Sequence, residues 1–153
     1  MATQTYQLTF DGYWLAANVG GLPDQSGIYG VYAGAYNQQA NTVALNRLLY
    51  LGEAAAVRSR VVNHDRLPDW KCLLKPGEIL CFNVALISPD GARRRAEAAM
   101  IFKHKPPCNT EYVDNFPFDT TSVTTGGKNA LMQSSFTVVR TEAGTAGASG
   151  RRW

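Results

Sequence analysis

The sequence predicts an α+β domain, a small sheet covered by helices. Three observations carry this. The 153 residues are 45% hydrophobic, enough for one packed core and too apolar for a disordered chain. Short segments with strand character are interspersed with two segments of helical character. Their order along the chain is strand, hairpin, helix, strand, helix, an order that lays helices over a sheet.

Residues 6–10 (YQLTF) alternate apolar and polar, as a half-buried strand does, and Asp11-Gly12 supplies a turn signal. Residues 20–24 (GGLPD) read as a loop. Residues 27–32 (GIYGVY) are rich in β-branched and aromatic types and read as a strand. Residues 34–44, with Asn37, Gln38, Gln39 and Asn41, read as a surface loop, and residues 47–51 (RLLYL) as the returning strand of a long-looped hairpin. Residues 53–64 (EAAAVRSRVVNH) read as a helix, with Ala54, Val57 and Val61 on one stripe. Residues 68–77 read as a loop and residues 78–87 (EILCFNVALI) as an apolar central strand. A second helix is expected over residues 92–104, stopped by Pro106-Pro107. Residues 136–140 (FTVVR) read as a late strand, and the small, polar end over 143–153 as a mobile tail.

Composition excludes several classes. No apolar run reaches the roughly 20 residues of a membrane-spanning helix, and the first residues lack the basic and apolar regions of a secretion signal. Three cysteines, Cys72, Cys81 and Cys108, form no CxxC pair, which points to free thiols in a reducing cytoplasm rather than to zinc. The net charge is +3, but it is unevenly spread: residues 1–46 hold no Lys or Arg, while residues 47–105 hold eleven basic and six acidic side chains. A polyanion is attracted to such a segment.

Six residues stand at spacings that suggest chemistry. Gly27-Ile28-Tyr29 opens one hairpin strand and Tyr50-Leu51-Gly52 ends the other. Arg60 lies eight residues after Gly52, His64 four after Arg60, Glu97 in the second helix, and Asn109 beyond the end of that helix. Each alone has an ordinary structural role, such as packing, capping or surface pairing; the joint spacing asks for a common explanation.

This set resembles the GIY-YIG nuclease family over roughly residues 26–110. The resemblance implies a small central, mainly antiparallel three-stranded sheet flanked by helices. It divides the chain into an N-terminal extension over 1–25, which supplies the first strand, a nuclease core over 26–110, and a C-terminal extension over 111–142 before the tail. It implies a metal-dependent endonuclease that hydrolyses phosphodiester bonds in DNA, favoured over RNA, with Mg²⁺ (or Mn²⁺) as cofactor. Tyr29 resembles the general base. Arg60 offers a planar, permanently charged fork for phosphate, and at i and i+4 Arg60 and His64 would share a helix face. Glu97 is a hard oxygen ligand suited to a single metal that keeps its waters. Tyr50 would orient water or phosphate, and Asn109 would hold the helix or loop. Arg58, Arg93, Arg94, Lys103 and Lys105 are candidates for contacts to nucleic acid.

The chain departs from the family in a longer connection between the two motifs and in Glu53 directly after YLG, an acid that repels phosphate unless a metal or an arginine takes it up. No DNA-binding domain is recognisable beside the core, so specificity would come from loops, a homodimer or a targeting partner. The alternative is a catalytically weak or inactive nucleic-acid-binding module of the same fold.

Overall fold

The structure is a computed structural model that describes residues 3–141; the tail expected over 143–153 lies outside them. Six strands form one sheet: β1 (Gln4–Leu15), β2 (Gly27–Asn37), β3 (Thr42–Ala54), β4 (Ile79–Leu86), β5 (Thr121–Gly127) and β6 (Ser135–Val138), in the spatial order β3-β2-β4-β1-β5-β6. Three α-helices accompany it: α1 (Val57–Val61), α2 (Leu67–Cys72) and α3 (Asp90–His104). A short 3₁₀ segment, Ala16–Gly21, follows β1.

This corrects the expected fold class. The sheet is six-stranded and mixed and curves into a half-barrel with few helices; it is not a three-stranded antiparallel sheet flanked by helices. The β3-β2-β4 portion is antiparallel. Beyond it, β1 pairs antiparallel with β4 and parallel with β5, and β5 pairs antiparallel with β6. The segments expected as extensions therefore complete the sheet. β5 (TSVTTGG) was hidden by its small polar residues, yet Thr121, Val123 and Thr125 alternate inward and are buried.

Two element boundaries moved for a physical reason. The amide-rich stretch expected as a loop over 34–44 is mostly strand: β2 and β3 pair out to Asn37 and Thr42, leaving a tight tip at which Asn41 takes a positive φ of 52° and Asn37 Oδ1 accepts the Ala40 N–H. The helix expected over 53–64 shrinks to five residues, because Glu53 and Ala54 continue β3 opposite Ile28 and Gly27. Pairing to a central strand outweighs the helix propensity of an alanine run.

The sheet carries a core on each face. One joins Leu8, Phe10, Ile28, Leu51 and Ala85 to the alanine face of α3 and to Phe116, Phe136 and Val138. The other joins Tyr29, Val31, Leu49, Phe82 and Val84 to Val57, Val61 and Trp70. β3 is an edge strand, and the edge is where the two faces meet. No helix among the described residues is long and apolar enough to cross a membrane.

Candidate active site

A cleft of about 430 Å³ opens beside β3, lined by Tyr29, Tyr50, Glu53, Arg60, Arg94, Glu97, Glu111 and Tyr112. It draws on four elements: β2 supplies Tyr29, β3 supplies Tyr50 and Glu53, α1 supplies Arg60, and α3 supplies Arg94 and Glu97. Four of the six residues singled out in the sequence thus face one space. The other two support it from behind.

His64 is the first supporter. The expectation that Arg60 and His64 share a helix face does not hold, since α1 ends at Val61 and His64 follows a turn. That turn carries His64 inward, where its side chain is fully buried. Its Nε2 lies 2.7 Å from the Tyr29 hydroxyl. Its Nδ1 accepts the Arg66 backbone N–H at 3.0 Å. Burial, with the Arg60 charge, depresses its pKa to about 4, so the ring is neutral at pH 7. A neutral ring has one proton, and Nδ1 is occupied as an acceptor; Nε2 therefore carries the proton and donates to Tyr29. The His64 ring also packs 4.5 Å from that of Trp70, which in turn stands 5.3 Å from Tyr50.

Asn109 is the second. Its side chain accepts the Leu51 N–H and donates to the Leu51 carbonyl, both at 2.9 Å. The adjacent Cys108 N–H donates to the Leu49 carbonyl at 3.0 Å. The 108–109 loop thus behaves as a short extra strand on the β3 edge, and it pins the backbone on both sides of Tyr50.

The electrostatics are uneven. Glu97 has its carboxyl pushed up to about 8 by burial and by the neighbouring charges of Glu53 and Glu111, against which Arg93 pulls only in part. Tyr29 is held above the ordinary tyrosine range by burial and by Tyr50, while Arg60 draws it down. Tyr50 is raised by burial and by Glu97. Burial is thus the larger cause at Glu97, and its two acidic neighbours add to it. Among the described residues no three His, Cys, Asp or Glu side chains form a group able to enclose a metal. The donor set fits instead a cation such as Mg²⁺, which takes one or two carboxylates and keeps most of its waters.

The five basic candidates are dispersed. Arg93 is 3% exposed; it pairs with Glu53 and with Asp90, and donates to Ser26 Oγ at 2.9 Å. Glu53, the unexpected acid after YLG, thus has its arginine. Arg94 is exposed and lines the cleft. Arg58 donates to the Leu22 carbonyl at 2.8 Å, away from the cleft lining. Lys105 donates to the Val113 carbonyl and lies over the Phe102 ring, and Lys103 is exposed on α3. His104 is tied to the Met100 carbonyl and to the Gln133 N–H, so it serves the loop before β6.

Sequence reasoning missed Glu111, Tyr112, Arg66 and Asp65. Glu111 and Tyr112 lie beyond the helix in a segment without periodicity, and only its path back across the cleft brings them in. Asp65 pairs with Arg60 at 2.8 Å. Arg66 lines a small recess next to the cleft with Tyr50, Glu97 and Asn109. Comparison with protein-family models, with curated proteins and with solved structures finds no match to this chain.

Proposed function

We propose that this chain is a metal-dependent endonuclease that hydrolyses phosphodiester bonds in DNA. The single observation that carries the reading is the meeting of Tyr29, Tyr50, Arg60 and Glu97 in one cleft, with Tyr29 hydrogen-bonded to a neutral His64. Three free cysteines, two of them buried, fit a reducing cytoplasmic setting.

Hydrolysis needs a base for the attacking water and charge stabilisation on the phosphate and leaving oxygen. Tyr29 Oη is the proton acceptor. It becomes competent as the phenolate, which the His64 Nε2–H donor and the Arg60 charge stabilise against the burial that disfavours it. Arg60 presents its guanidinium to the phosphate. Tyr50, held by the pinned backbone of β3, orients the phosphate or the water. Glu97 would hold the divalent ion, with Glu53 and Glu111 near enough to favour a cation there. When bound, that ion supplies Lewis-acid stabilisation of phosphate and leaving-group charge. Arg94 at the rim attracts the backbone of the substrate.

The test is cleavage of supercoiled plasmid by the purified protein in Mg²⁺ or Mn²⁺. Nicked or linear product that disappears in Glu97→Gln and in Tyr29→Phe is expected. Cleavage that survives both substitutions sinks the site. Salt-sensitive DNA binding without cleavage under any divalent cation would instead identify a non-catalytic binding module.

A further inference from the structure

Arg60 reaches the cleft already holding a carboxylate. Its Nη2 lies 2.8 Å from Asp65 Oδ1, and Asp65 is held below the ordinary carboxylate range, first by that bond. The Asp65 side chain is 73% exposed and lies outside the cleft lining. Its other close neighbour is His64 Nδ1 at 3.4 Å. That nitrogen is already an acceptor for the Arg66 N–H, so it has no proton to offer the carboxylate. Arg60 is thus the side chain that holds Asp65, whose exposed carboxylate otherwise takes a bond from its own backbone.

We propose that Asp65 is a stand-in for the substrate phosphate, an anion that occupies Arg60 until a nucleic-acid backbone displaces it. The inference rests on the reading of Arg60 as the phosphate ligand. A carboxylate and a phosphate offer a guanidinium the same pair of oxygens at similar spacing. An exposed pair of this kind is weak, so the exchange costs little. A phosphate diester held at several points along a duplex outcompetes it; a small free anion, without those further contacts, does not. The contact therefore keeps Arg60 ordered near Tyr29 while lowering its affinity for anions that are not substrate.

The experiment is duplex binding by the full chain in EDTA, where metal-dependent cleavage is off, for wild type, Asp65→Asn, Arg60→Gln and the double variant. Asp69→Asn is the control, because it removes the same charge from a nearby exposed acid that pairs with Arg66 instead. The expected result is that Asp65→Asn tightens binding about 3- to 10-fold and that this gain vanishes in the Arg60→Gln background, while Asp69→Asn acts equally in both. Inorganic phosphate should also become a better competitor for Asp65→Asn than for wild type. Equal tightening by Asp65→Asn in both backgrounds would overturn the exchange, leaving general charge repulsion. Weaker binding by Asp65→Asn would overturn it too, making Asp65 a brace for Arg60. If wild type fails to bind duplex at all, the nuclease reading falls, and the exchange with it. Melting curves of all six proteins establish that each is folded.

Discussion

The Tyr29 ring lies directly over Gly52: a Cβ built on that glycine would stand 2.4 Å from both Cζ and Oη of Tyr29. The two residues are register partners on β2 and β3. The glycine that ends one motif is thus the floor beneath the tyrosine of the other. It lets the Tyr29 ring lie over β3 and reach the cleft that Glu97 also lines.

Gly52→Ala should therefore act on the site more than on the fold. Tyr29 must move, and the overpacking costs about 1–3 kcal/mol of stability. Plasmid cleavage should drop at least as far as in Tyr29→Phe, which keeps the ring. Denaturant titration beside the cleavage assay separates the two effects. Full activity in Gly52→Ala would show that Tyr29 need not lie where it does.

His64 should make stability fall with acid. Its pKa is lowered on folding to about 4 from the ordinary 6.5, so between those values the unfolded chain binds more protons than the folded one. Stability attributable to the neutral ring is full above pH 6.5 and is lost as pH falls toward 4. The loss approaches about 3 kcal/mol at most. Melting temperatures of wild type and His64→Gln across pH 7 to 4.5 check this: the wild-type curve should fall more steeply. Parallel curves would mean that His64 is not buried and neutral.

Glu97 runs the other way. Its pKa is raised on folding to about 8, so between 4.5 and 8 the folded chain holds the extra proton. Without metal, stability from this group is full below pH 4.5 and is lost as pH rises through 8. Glu97→Gln should then melt higher than wild type at pH 8.5 in EDTA, by about 3–8 °C, while losing cleavage, the exchange of stability for function that a cation-binding role for Glu97 implies. The Mg²⁺ concentration for half-maximal cleavage should fall as pH rises toward 8 and level off above it. A lower melting point for Glu97→Gln would contradict a carboxyl raised by burial and by its acidic neighbours.

Arg93 and Arg94 are neighbours with opposite fates. Arg93→Ala removes a buried cation from Glu53, Asp90 and Ser26 and should destabilise the protein by about 3–5 kcal/mol. Arg94→Ala should leave the melting point within a degree or two and weaken duplex binding, lowering the salt slope by about one. Measuring both quantities for both variants tests the assignment, which reverses if Arg93→Ala is the stable, weak-binding one.

Asn109→Ala should cost about 1–3 kcal/mol, because the Leu51 N–H and carbonyl lose their partners at the β3 edge. Its effect on cleavage should fall on kcat, through Tyr50, with little change in KM. Asn109→Asp keeps the acceptor for the Leu51 N–H and should recover part of the stability.

By itself the sequence determined what is local. The alternation in 6–10, the β-branched and aromatic content of 27–32, the apolar run opposite them in β4 and the proline stop after α3 are written in neighbouring residues, and each became the element it suggested. The spacing of Tyr29, Tyr50, Arg60, His64, Glu97 and Asn109 was equally legible. Tertiary structure decided what depends on pairing between distant segments. β5 exists because β1 offers it a parallel partner, and residues 53–54 are strand because Gly27 and Ile28 lie across from them. Whether an arginine lines the cleft or is a buried brace depends on which side of α3 it occupies, and Arg93 and Arg94 differ by one position. The roles behind the cleft were of this kind too: the proton on His64 Nε2 is set by the Arg66 backbone, and the edge of β3 is closed by a side chain 58 residues away. Hydrogen bonds and burial are settled by the folded neighbours of a group, and those neighbours are rarely adjacent in the chain.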